Sequence, residues 1–141
     1  MDFGVIGRVW LPFIGGLLVT GWIFKVVPGA DGAMRLVGLV LALIGLTGVI
    51  LARYTLGRSF SVVPKATALV TTGIYSKIRN PIYVSGMFFI LGLILMVGRP
   101  ELLAVFLLLV PMQIIRARRE AAVLEAKFGD AYREYRKGTW F

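Results

Sequence analysis

Two short polar segments contain the residues whose types and spacing could do chemistry. The first includes Arg79, Asn80 and Pro81. A residue before proline is pushed out of the helical region and proline suits the first position of a helix, so we expect a helix to begin at Pro81. Its unpaired N–H groups and positive dipole end then lie beside Arg79, which suits an anion such as a carboxylate. The same pattern is also that of an ordinary helix cap.

The second polar segment lies near the end of the chain. Arg116, Glu120, Leu124 and Phe128 are spaced four apart, so they fall along one side of a helix. This spacing predicts a helix that carries a carboxylate and basic groups out of a membrane. A solvated, salt-paired helix at the membrane surface has the same spacing, and the segment taken alone favours that interpretation.

The chain contains no cysteine and no histidine. Thiolate and imidazole metal sites, disulfides, haem ligation by histidine and any relay from a nucleophile to histidine are therefore excluded. No metal site is expected.

The elements that must position these segments are membrane helices. Of 141 residues, 58% are apolar and only 16% are charged, whereas soluble domains carry about 25% charged residues. The apolar stretches are continuous and do not alternate, and a span needs roughly 20 helical residues. We expect a single all-α domain, 1–141, with about four transmembrane helices and a C-terminal helix that leaves the membrane on the cytoplasmic side. The expected spans are 9–27, 34–53, 81–98 and 101–116.

The basic residues indicate how this bundle is oriented. With the N-terminus inside, 13 of the 16 lysines and arginines fall on the cytoplasmic side, which predicts that both termini are cytoplasmic. The connection 54–80 and the tail 117–141 then face each other there. We attribute the net charge of +9 to the membrane topology and to attraction to anionic membrane lipids, and not to nucleic-acid binding. The inner or plasma membrane is the expected location.

The two polar segments together carry a family resemblance. They flank one hydrophobic hairpin in the order Leu69-Val-Thr-Thr-Gly73-Ile-Tyr75, Arg79-Asn80-Pro81-Ile-Tyr83, then Arg118-Arg119-Glu120, Leu124, Phe128-Gly129, Tyr132 and Tyr135. In this, the chain resembles the superfamily of isoprenylcysteine carboxyl methyltransferases and phospholipid methyltransferases. The resemblance begins at Leu56-Gly57-Arg58-Ser59-Phe60-Ser61 and runs to Tyr135.

The resemblance implies an integral membrane enzyme that uses S-adenosylmethionine and opens sideways to lipid for a hydrophobic substrate. On the family pattern, the cofactor-binding residues are Tyr75, Arg79, Asn80, Pro81, Tyr83 and Glu120, and the residues at the reacting centre are Arg118 and Glu120. Asn80 stands where the family usually has histidine.

The methyl acceptor is left open among isoprenylcysteine-like carboxylates, phospholipid amines and small thiols. Of these, an amine needs a base, and Glu120 is the candidate near the site. A transporter is disfavoured because all seven acidic residues lie outside the uncharged runs. A non-catalytic scaffold stays possible, since Gly38, Ala42, Gly45 and Gly48 permit close helix packing in any of these proteins.

Overall fold

The fold is described from a computed structural model that covers residues 3–29, 31–57 and 68–141. Residues Arg58, Ser59, Phe60 and Ser61, where the family resemblance begins, lie outside the described residues, as does the rest of 58–67. Within the described ranges there is no β-strand, and the helices are α1 (Phe3–Val26), α2 (Gly32–Leu56), α3 (Pro81–Val97), α4 (Phe106–Phe128) and α5 (Asp130–Lys137), with 3₁₀ helices at Gly73–Ser76 and Pro100–Val105.

Three of these helical segments are long and apolar enough to cross a membrane: Val9–Val26, Gly32–Leu56 and Pro100–Phe128. The helix α3 is apolar but shorter, with 17 residues. Large apolar side chains are exposed along the spans, for example Leu107 and Leu108 near the start of α4. Such a surface suits lipid, since lipid offers apolar side chains the same environment as a protein interior. The expected all-α membrane fold is confirmed.

Helices α2 and α3 form the core of the bundle because small residues let their backbones touch. A Cβ added to Gly38 would lie 2.6 Å from the carbonyl oxygen of Gly92, and one added to Gly45 would lie 2.6 Å from that of Ser85. Ala42, between the two glycines, is fully buried. The close packing expected from the small residues of the second span is therefore confirmed.

Helix α1 is attached to α2 by a charged side chain near the loop between them. The Nη2 group of Arg35 donates hydrogen bonds to the carbonyl oxygens of Ile23 (2.8 Å), Phe24 and Val27 (3.0 Å). The guanidinium also lies 5.2 Å from the centre of the Phe24 ring. These carbonyls are at the C-terminal end of α1, where helical partners run out, so Arg35 satisfies groups that lipid cannot.

The end of the chain folds back onto the start of α3. Gly129, with φ at 52°, separates α4 from α5, a conformation that favours glycine. After α5, the N–H of Trp140 donates to the carbonyl of Lys77 (3.0 Å), and the N–H of Asn80 donates to the carbonyl of Phe141 (3.0 Å). Residues 138–141 are thereby fixed beside Pro81, which begins α3 as the sequence predicts.

Candidate functional site

The candidate site is centred on a contact between the beginning of α3 and the part of α4 that follows its apolar half. The hydroxyl of Tyr83 donates a hydrogen bond to Oε1 of Glu120. Tyr83 is in the first turn of α3 because the helix begins at Pro81. Both side chains are only partly exposed, so the bond is formed where water is scarce and hydrogen bonds to a carboxylate are strong.

Arg116 adds a positive charge to this pair. Its guanidinium carbon lies 5.5 Å from the centre of the Tyr83 ring, a cation–π contact. Arg116 precedes Glu120 by one helical turn, so the two side chains leave α4 on the same side. The resemblance did not name Arg116 as a site residue, but its four-residue spacing from Glu120 predicted that the two side chains share one side of a helix.

Two further tyrosines connect the 3₁₀ helix before α3 with α5. Tyr75, in the 3₁₀ helix before α3, is buried, and its carbonyl accepts a hydrogen bond from the hydroxyl of Tyr135 on α5 (2.8 Å). Burial, and then the charge of Glu120, raises the pKa of the Tyr75 phenol. Burial likewise raises the pKa of Tyr135 to about 12. Both phenols are therefore neutral hydrogen-bond donors at physiological pH.

Arg79 lies at the junction between the start of α3 and the tail. Its Nη1 group donates to the carbonyl of Arg136 (3.2 Å), near the C-terminal end of α5. A cation suits that end because the helix dipole is negative there. The charge of Arg79 also lowers the pKa of both Tyr132 and Tyr135, although burial outweighs it in each case. Arg79 therefore faces the tail and its tyrosines.

An apolar cavity of about 320 Å³ opens between α3 and α4, next to the tyrosine–glutamate pair. We call it the α3–α4 groove. Its lining includes Tyr83, Met87, Leu91, Phe106, Gln113 and Phe141. Tyr83 thus lines the groove and also belongs to a polar cluster formed by Tyr83, Arg116 and Glu120, so the polar cluster lies at the Tyr83 end of the groove.

The sequence profile described as phospholipid methyltransferase matches residues 33–131, well over half of the chain. The chain belongs to this family. The match runs from the first turn of α2 into α5, so it includes Tyr83, Arg116 and Glu120. No curated protein matches the chain. Membership of the phospholipid methyltransferase family indicates a methyltransferase embedded in a membrane, which confirms the resemblance seen in the sequence.

The residues predicted from the methyltransferase resemblance lie in different positions relative to the Tyr83–Glu120 pair. Tyr75 is close enough for the charge of Glu120 to act on its pKa. Asn80 immediately precedes α3, and Pro81, the first residue of α3, is almost fully buried. Arg118 is exposed and is two residues before Glu120, which puts it on the opposite side of α4. Its role at the reacting centre stays a prediction.

Proposed function

We propose that the protein transfers a methyl group from S-adenosylmethionine to a hydrophobic acceptor that reaches the site from the membrane. The observation that supports this most directly is the hydrogen bond from Tyr83 to Glu120, formed at the point where an apolar groove meets a cluster of polar side chains. A methyltransferase for membrane acceptors needs both surfaces at one place, because its methyl donor is polar and its acceptor is apolar.

The polar cluster has the chemistry that S-adenosylmethionine requires. The Glu120 carboxylate has lone pairs beyond the one used by Tyr83 and can accept hydrogen bonds from ribose hydroxyls or from an ammonium group. The Arg116 guanidinium can pair with a carboxylate. Aromatic rings such as Tyr83 attract a cation, and a sulfonium is a cation. When bound, S-adenosylmethionine supplies an activated methyl group on its sulfonium.

The protein's own part in the reaction is alignment and exclusion of water. Methyl transfer is an in-line displacement in which the positive charge on sulfur disappears, so a dry site and a fixed approach of the acceptor contribute most. An acceptor that is a carboxylate or thiolate needs no base. An amine must lose a proton, and Glu120 is the carboxylate beside the groove that can take it. All three acceptor classes remain candidates.

Binding of S-adenosylhomocysteine to the detergent-solubilised protein, measured by calorimetry, tests the cofactor. We expect saturable one-to-one binding that Glu120→Gln weakens at least tenfold. The matched control is Glu134→Gln on α5, which changes an exposed acid whose ion pair is with the exposed Lys137 and should bind as the wild type does. Absence of wild-type binding at millimolar ligand would refute the proposal and favour a non-catalytic scaffold.

The acceptor class can be found by incubating the protein with lipid extracts and a radiolabelled methyl donor. Label in a lipid product that requires the protein, and that Glu120→Gln abolishes, identifies the acceptor. Treatment of the product with base then separates the carboxylate class from the other two, because a methyl ester releases volatile methanol in base whereas an N-methyl amine or a methyl thioether does not.

We also propose that the site faces the cytoplasm, as the distribution of basic residues predicts. The chain has no cysteine, so a single introduced cysteine reports on one position. Ser76→Cys, at an exposed position of the 3₁₀ helix before α3, should react with an impermeant maleimide only after the cells are opened. Reaction in intact cells would place the site outside.

A further inference from the structure

The end of the tail holds an exposed aromatic side chain on a fixed backbone. Trp140 is 68% exposed, yet its N–H donates to the carbonyl of Lys77 (3.0 Å) and its carbonyl accepts a hydrogen bond from the N–H of Arg79 (3.4 Å). The next residue, Phe141, lines the apolar α3–α4 groove. A single exposed indole is ordinary on a soluble protein, so its depth in the membrane and the charge around it decide what it binds.

The length of α3 sets the depth of Trp140. Helix α3 has 17 residues and is about 25 Å long, whereas the hydrocarbon core of a bilayer is about 30 Å thick. The residues directly before Pro81 therefore lie at the edge of the hydrocarbon core. Lys77 and Arg79 are charged and stay in the polar headgroup layer. Since the backbone of Trp140 is bonded to both, its indole lies at the headgroup layer, where tryptophan is enriched in membrane proteins.

The charge around Trp140 is positive. Each acid of α5 already forms an ion pair with a base of the same helix, Asp130 with Arg133 (2.7 Å) and Glu134 with Lys137 (3.0 Å). Lys77, Arg79 and Arg136 form no ion pair with any residue that the structure describes. Arg79 and Arg136 lie together, since Nη1 of Arg79 donates to the carbonyl of Arg136. The surface that carries Trp140 therefore favours an anionic partner.

We infer that the end of the tail, residues 136–141, together with Lys77 binds anionic lipid headgroups of the leaflet in which α3 begins. The indole of Trp140 lies among the headgroups, and Lys77 and Arg136 pair with their phosphates. A zwitterionic headgroup also carries a phosphate, but its ammonium group cancels the charge, so the surface prefers lipids with a net negative charge. Bound anionic lipid then borders the α3–α4 groove next to Phe141. This surface does not depend on the proposed methyl transfer.

Quenching of Trp140 by brominated lipids tests its depth. The chain has three tryptophans, so Trp10→Phe/Trp22→Phe leaves Trp140 alone. The full-length protein is placed in phosphatidylcholine vesicles whose acyl chains carry bromine either near the headgroup or near the chain end. We expect stronger quenching from bromine near the headgroup. Leu108→Trp, with all native tryptophans changed to phenylalanine, should show the reverse order, because Leu108 is exposed about 15 Å from the start of its segment at Pro100.

The same tryptophan reports which headgroup is bound. In vesicles of equal parts phosphatidylglycerol and phosphatidylcholine, bromine is placed near the headgroup of one lipid or of the other. We expect bromine on phosphatidylglycerol to quench Trp140 more, with a relative affinity of about three- to tenfold, as one or two bases beside an anionic headgroup provide. Lys77→Gln and Arg136→Gln should each lower this ratio by about twofold or more. Arg99→Gln is the matched control, since it removes an exposed base from the opposite end of the bundle and should leave the ratio unchanged.

Three results would each overturn the inference: quenching of Trp140 that is strongest from the chain end or absent, equal quenching from the two headgroups, and a ratio that both Lys77→Gln and Arg136→Gln leave unchanged. The difference in quenching between the wild type and Trp140→Phe gives the same quantities without changes at Trp10 or Trp22. Binding of S-adenosylhomocysteine is measured on the same protein. A headgroup preference without this binding would support the lipid surface and refute methyl transfer, and the opposite pair of results would refute the lipid surface alone.

Discussion

Tyr83 and Glu120 are 37 positions apart in the chain and share a hydrogen bond between the start of α3 and the part of α4 beyond its apolar half. The bond joins the two helices on either side of the groove at its polar end. The guanidinium of Arg116 lies against the same tyrosine ring, so one phenol contacts both a carboxylate and a cation. Tyr83 is therefore the residue through which the polar cluster and the groove are connected, and its substitution should affect both.

Tyr83→Phe keeps the ring and removes the hydroxyl. Because hydrogen bonds to charged groups contribute about 1.5–3 kcal/mol, loss of this donor should leave Glu120 less well positioned and weaken S-adenosylhomocysteine binding about tenfold. Calorimetry measures the change. Tyr54→Phe is the matched control, since Tyr54 is an exposed tyrosine at the end of α2. An unchanged affinity in Tyr83→Phe would mean that Tyr83 does not position Glu120 for the cofactor.

Arg116 and Arg118 offer a paired test of which arginine acts at the site. Arg116 contacts Tyr83, whereas Arg118 is exposed two residues further on. If the arginine that contacts Tyr83 is the one that acts at the site, Arg116→Gln should lower the rate of methyl transfer at least tenfold. Arg118→Gln should then change the rate less than twofold. The reverse result would support the role that the family resemblance gives to Arg118. The rate is measured with the acceptor found in the lipid screen.

The sequence predicted the helices that carry this site better than the contact between Tyr83 and Glu120 at its centre. Run lengths and Pro81 predicted the membrane helices and the start of α3, because both depend on local properties of the chain. The pairing of Tyr83 with Glu120 depends on how α3 and α4 meet, which no local pattern specifies. Only the family resemblance assigned both residues to one cofactor site. The bonds of Trp140 and Phe141 to the segment before α3 are likewise long-range, and nothing in their spacing indicated them.

Because α2 and α3 are in close contact, the effect of a glycine-to-alanine change on the free energy of unfolding should depend strongly on its position. At Gly45 the new Cβ would meet backbone atoms of Ser85 and Phe89, which cannot move without separating the helices. We expect Gly45→Ala to lower the free energy of unfolding by about 1–3 kcal/mol. At Gly15 on α1 a new Cβ would meet, within 4 Å, no atom of the described residues beyond the adjacent backbone of its own helix, so Gly15→Ala should be neutral or stabilising. Unfolding in mixed detergent micelles measures both, and equal effects would contradict the packing.

The loss of stability at high pH should depend on Tyr135. Burial raises its pKa to about 12 in the folded protein, above the ordinary value of 10. The unfolded chain therefore loses this proton first, so the stabilisation is complete below pH 10 and is lost as the pH rises from 10 toward 12. Tyr135→Phe should reduce the fall in melting temperature between pH 9 and pH 11. Lysines titrate in the same range but are common to both proteins, so identical slopes would show that Tyr135 makes no contribution.

The attachment of α1 should depend on the shape of the Arg35 side chain as well as on its charge. One guanidinium nitrogen serves the carbonyls of Ile23, Phe24 and Val27, and the planar group lies against the Phe24 ring. A lysine ammonium keeps the charge but loses this planar contact. We expect Arg35→Lys to lower the free energy of unfolding by about 1 kcal/mol, because bonds to otherwise unpaired helix-end carbonyls are weakened.

Arg99→Lys is the matched control for that change. Arg99 lies in the loop before α4, is largely exposed, and its ion pair with Glu101 is long at 3.8 Å. An exposed pair of this kind contributes little, so its replacement should leave the melting temperature unchanged within about 1 °C. With Trp10 and Trp140 replaced by phenylalanine, the emission of Trp22, near the end of α1, reports whether α1 separates first. If Arg35→Lys and Arg99→Lys melt together, the Arg35 contacts do not hold α1 to α2, and the side-chain packing of the two helices alone must do so.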